Sequence, residues 1–100
     1  MKKTSVKYEA GLKEDLANPE EAAAYLNAAL EDGSQEVFLL ALRDVAEVRG
    51  MSKIASETML NRENLYRMIS KKGNPQLSSL NALLQTMGLK LAIEVRHNAA

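Results

Sequence analysis

Apolar residues recur at helical spacing through most of this chain and switch to strict alternation only near its end. In "NPEEAAAYLNAALEDG" the stripe Ala22, Tyr25, Leu26, Ala29 and Leu30 predicts a helix with one buried face. Asn18 as cap, Pro19 at the first helical position and Glu21 three residues after the cap mark its start, and Gly33 marks its end. Upstream, "YEAGLKEDLA" predicts a shorter helix burying Leu12 and Leu16, weakened by Gly11. "SQEVFLLALRDVAEVRG" starts at Ser34 as cap and stops at Gly50, with Val37, Phe38, Ala41, Leu42, Val45 and Val48 as its expected buried face. This most apolar helix is expected at the centre of the core.

Three short elements follow. Ser52 is placed to cap "KIASETM" and Asn61 to cap "RENLYRMIS", while "QLSSLNALLQTMG" follows Pro75 and ends at Gly88, a residue suited to the left-handed conformation after a helix. From Leu89 the period falls to two. Leu89, Leu91, Ile93 and Val95 alternate with Lys90, Ala92, Glu94 and Arg96, which predicts a strand over 89–96 with one buried face. A strand must pair to satisfy its backbone groups, and three partners are open: the β-prone segment Thr4 to Tyr8, a second copy of the strand, or another protein. The chain thus reads as one mainly α domain over 1–100, made of a helical segment 1–33, a helical core 34–88 and a terminal strand 89–96.

Composition changes this picture in two ways. At 100 residues and 46% apolar the chain is long enough for one core, and it has no cysteine, which removes disulfides, thiolate metal sites and cysteine nucleophiles. No window approaches a membrane span and no apolar stretch follows the basic start, so a cytoplasmic location is expected. The formal net charge of zero conceals an asymmetry. Residues 8–48 carry ten acids against Lys13 and Arg43, whereas residues 49–96 carry eight bases against Glu57, Glu63 and Glu94. A polyanion would be drawn to the second part and repelled by the first.

The basic part contains the candidate chemistry. "MSKIASETMLNRENLYRMIS" reads as two short helices joined by a tight turn, with Ile54, Leu60, Leu65 and Met68 inward and Ala55 small where the helices cross. Asn61, Arg62, Glu63, Asn64, Tyr66 and Arg67 then face outward. Arginine donates two bonds to guanine, asparagine pairs with adenine, glutamate accepts from cytosine, and a tyrosine hydroxyl bonds phosphate. The pattern therefore suits a helix-turn-helix whose second helix enters the major groove of DNA, with Ser52, Lys53, Lys71, Lys72 and Asn74 near the phosphates. Bland roles stay open: Asn64 as a cap of its own helix, Lys71 and Lys72 as partners of a helix C-terminus, and the whole face as solvated surface. Met59 stands in the turn where a left-handed residue is needed, so it carries a positive φ or the turn differs.

His97 stands alone, the acidic pairs sit at helix ends, and no catalytic set, metal site or cofactor motif emerges. An enzyme is not expected.

The run from Leu16 to Val95 resembles the helix-turn-helix antidote (antitoxin) proteins of bacterial type II addiction modules, the HigA-like group. The likeness is densest in "ALRDVAEVRGMS", "LNRENLYRMIS", "KGNPQLSSL" and "MGLKLAIEV", and extends to "NPEEAAAYLNAALEDG". It implies a five- to six-helix, lambda-repressor-like domain that binds the operator of its own operon as a homodimer and neutralises a small, basic, RelE-like ribonuclease toxin. The reading helix would be Arg62 to Ser70, and the recurrent positions Arg62, Glu63, Leu65, Tyr66, Gly73, Asn74 and Pro75. Met59 departs from the family's glycine. The residues themselves place the rest: the unpartnered alternating face puts dimer contacts on Leu89, Leu91, Ile93 and Val95, and the acidic surface of residues 1–48 suits a basic toxin, with contacts expected at Val6, Tyr8, Leu12 and Leu16. A stand-alone DNA-binding regulator with no toxin and a protein-interaction module without DNA remain as alternatives. The neighbouring reading frame separates the first from an antitoxin, and a gel shift separates the second.

Overall fold

The computed structural model describes residues 15–70 and 72–97. Residues 15–17 are helical and lead into α1 (Pro19–Glu31), which starts as the sequence predicts: the Asn18 side chain accepts from the backbone N–H of Glu20 at 2.8 Å and Glu21 at 3.4 Å, and Pro19 opens the helix. Ser34 caps α2 (Gln35–Arg49) by accepting from Val37 N–H at 3.3 Å. Three shorter helices follow, α3 (Met51–Thr58), α4 (Arg62–Met68) and α5 (Leu77–Thr86).

α1 packs on α2, and α3 is the hub, touching α2, α4 and α5. Its Ile54 is fully buried, together with Leu39, Leu42, Leu65, Ile69 and Leu83 from the surrounding elements. Two polar ties fasten the layers. Tyr25 Oη donates to Asp44 Oδ2 at 2.7 Å across α1 and α2, and the Arg49 guanidinium at the end of α2 donates to the Thr86 carbonyl in the last turn of α5. A carbonyl left over at a helix end is satisfied there by a cation, the sign the helix dipole favours.

The buried stripes are shifted from those the periodicity predicts. On α2, Leu39 and Ala46 are buried beside Ala41, Leu42 and Val45, while Phe38 and Val48 are only partly covered and Val37 is exposed. The helix is covered by α1 on one side and α3 on the other, so its buried arc is wider and rotated relative to a single stripe. Leu30 is exposed for a different reason: it occupies the last turn of α1, where the chain turns away. Ser52 does not cap α3, because Gly50 at φ 103° is the boundary and Met51 is already helical.

The expected strand over 89–96 is absent. Residues 89–97 have no regular secondary structure, and among the described residues there is no strand at all. Alternation supplies a face, but a strand exists only where a neighbour accepts its backbone hydrogen bonds, and the described part of the chain supplies none. Only Leu89 packs on the core; Leu91, Ile93 and Val95 stand 43%, 101% and 76% exposed. The segment Thr4 to Tyr8, the helix expected before Asp15, and Val6, Tyr8, Leu12 and Lys71 lie outside the described residues.

Candidate nucleic-acid interface

α4 is only 7 residues long, too short to be stable by its own hydrogen bonds, so its neighbours must hold it. Leu65 anchors it, fully buried against α3, and Ile69 closes its end at 1% exposure. The outer positions Asn61, Arg62, Glu63, Asn64, Tyr66 and Arg67 are all exposed, which puts the expected reading residues on one open surface. Asn61 caps the helix, its Oδ1 accepting from Asn64 N–H at 2.7 Å. That leaves the Asn61 amide NH2 free to donate, and it assigns the cap to Asn61 rather than Asn64. The Arg62 guanidinium lies 5.9 Å from the Tyr66 ring centroid, a cation–π contact one helical turn apart.

The turn before α4 has two supports. Met59 takes the left-handed conformation at φ 65°, ψ 13°, the only non-glycine residue with positive φ among those described, and its side chain is 91% exposed. Thr58 Oγ1 donates to the Ile54 carbonyl at 2.8 Å and accepts from Leu60 N–H at 3.3 Å, pinning both sides of the turn. Thr58 carries one weak cue in sequence, a hydroxyl residue at a helix end.

The helix ends earlier than expected. Its last residue is Met68, with Ile69 as cap, and Ser70 folds back, Oγ donating to the Arg67 carbonyl at 2.9 Å. Gly73 then passes so close to the end of α4 that a Cβ on it would lie 2.2 Å from the Met68 carbonyl oxygen. Its own carbonyl accepts from Gln35 Nε2, in the first turn of α2, at 3.0 Å. Gln35 carries no periodic or motif signal, and sequence reasoning missed it.

Between this turn and α5 runs an open groove of about 550 Å³. Asn64, Arg67, Ser70, Lys72, Asn74 and Gln76 line it, all of them donors, two of them cationic. Such a lining can hold a phosphate backbone. Ser52 and Lys53 are exposed in the first turn of α3. Leu16, named among the toxin contacts and also expected on a buried helix face, is 5% exposed within the core. Among the described residues no group of acids and His could hold a metal, and no helix is long and apolar enough to cross a membrane.

Comparison with known proteins gives two findings. A family model described as "probable addiction module antidote protein" matches residues 7–95. A curated relative from Haemophilus influenzae, named only as an uncharacterized protein, is 35% identical over 81 residues, which is 81% of this chain and 84% of the relative. No solved structure matches.

Proposed function

Since the chain belongs to the family of probable addiction module antidote proteins, we propose that it is an antitoxin which represses its own operon by binding operator DNA and neutralises a RelE-like ribonuclease toxin by direct contact. The observation that carries the DNA part is α4. Two arginines, two asparagines, a glutamate and a tyrosine share the open surface of a short helix locked from behind by Leu65, beside a groove lined by donors. In this reading α3 and α4 are the helix-turn-helix, α4 enters the major groove, and Lys72 and Asn74 meet the phosphates.

The operator-bound form is a homodimer in this proposal. Residues 89–96 pair with the same residues of a second copy, which would supply the missing backbone partners and cover Leu91, Ile93 and Val95. The protein works in the cytoplasm, where its operator and the toxin's substrate lie. It is a binding protein, and family membership suggests no catalytic role.

A gel shift with the DNA upstream of the gene tests this. Arg67→Ala, exposed and lining the groove, should weaken specific binding by ~1–3 kcal/mol if it reads a base. A correctly folded Arg67→Ala that binds the operator as the parent does would remove α4 as the reading helix.

A further inference from the structure

We infer that the outer face of α2 over its first turns, with the last turn of α1, is where the toxin docks. This rests on the antitoxin reading above and names a surface for it. Of the residues expected to meet the toxin, Val6, Tyr8 and Leu12 lie outside the described residues and Leu16 is core. What is available is an apolar strip with an acidic rim. Leu40 is 58% and Val37 40% exposed on α2, and Leu30 is 54% exposed in the last turn of α1, at the same end of the helix pair.

Helical spacing fixes the surroundings of Leu40. Glu36 and Val37 lie one turn before it, Arg43 and Asp44 one turn after it. Arg43 Nε sits 3.5 Å from Glu47 Oε2, so the one cation on this face already has an acidic partner. Glu31 and Asp32 follow Leu30, Glu36 precedes Val37 and Glu47 lies two turns after Leu40, all four exposed, and over residues 15–48 eight acids stand against Arg43 alone. Apolar anchors at the centre with charge at the rim are the anatomy of a protein interface.

The charge selects the occupant. Nucleic acid would be repelled by this rim. A second copy of the chain would bring the same acids against themselves, since a two-fold contact pairs a patch with its own image. A basic protein surface with an apolar socket for Leu40 fits on both counts, and attraction between the opposite surfaces would speed encounter.

The probe is the purified protein encoded by the reading frame next to this gene, titrated calorimetrically into the full chain. Leu40→Arg sets a positive charge against the basic partner and removes the anchor without touching the core. It should weaken the complex by roughly thirtyfold or more, with thermal unfolding and operator binding as in the parent. Leu77→Arg, on α5 and 70% exposed, adds the same charge elsewhere and should leave the affinity unchanged. If Leu40→Arg binds as tightly as the parent, or if Leu77→Arg loses as much, this surface is wrong while the antitoxin reading stands. If the parent itself does not bind, both fall together.

Discussion

Replacing Gly73 by alanine should cost the protein more than any surface change around α4, although no side chain is lost. A Cβ there would meet the Met68 carbonyl oxygen at 2.2 Å, the Met68 carbonyl carbon at 2.8 Å and the Arg67 carbonyl oxygen at 2.9 Å, where ordinary contact begins at 3.4 Å. All three are backbone atoms. Relief requires a movement of about an ångström in the chain that closes α4, not the swing of a flexible side chain. Two hydrogen bonds depend on that chain position: Gly73 N–H to the Ser70 carbonyl at 2.9 Å, and Gln35 Nε2 to the Gly73 carbonyl at 3.0 Å. Each contributes ~1 kcal/mol, and a buried group left unpaired costs somewhat more, so the expected loss is about 2–4 kcal/mol. For a domain of this size that lowers the melting temperature by roughly 10–25 °C. Gly33→Ala is the internal comparison: it has φ 84° but no atom within 4 Å of an added Cβ, so only the left-handed penalty of ~1–2 kcal/mol, offset by lower chain entropy in the unfolded state, applies. Urea unfolding followed by helical circular dichroism measures both. If Gly73→Ala unfolds within about 0.5 kcal/mol of the parent, a value at the level of harmless surface changes, the close approach at Met68 is not a constraint.

Two other changes probe the turn and the terminal segment. Met59→Gly should raise stability by about 0.5–1 kcal/mol, the left-handed penalty less the entropy glycine adds to the unfolded chain, whereas Met59→Ala should give no gain; a urea midpoint that falls for Met59→Gly contradicts this. Ile93→Asp alters a fully exposed position of the single chain and should leave the fold intact, but it should convert the proposed homodimer to monomer by sedimentation and weaken the proposed operator binding. A dimer that survives the substitution places the contact elsewhere.

The helix order, the caps at Asn18, Ser34 and Asn61, the positive φ at Gly88 and the outward set on α4 were all legible in the chain. Each follows from a local rule: a side-chain oxygen three residues before an amide, a residue without Cβ after a helix, or a buried leucine one helical turn from its neighbours. Met59 shows the limit of such rules. Its type argues against a left-handed turn, and the turn forms nonetheless because Leu60 and Leu65 must both reach the core and Thr58 bonds the chain on either side.

What tertiary structure alone decided involves partners distant in sequence. The rotated face of α2 depends on having α1 and α3 on two sides at once, and the role of Gln35 depends on Gly73, 38 positions away. The terminal segment makes the same point in reverse. Its period-two pattern is intrinsic to the sequence, but a strand is a relation between two segments of backbone, and the described part of one chain contains only the first of them.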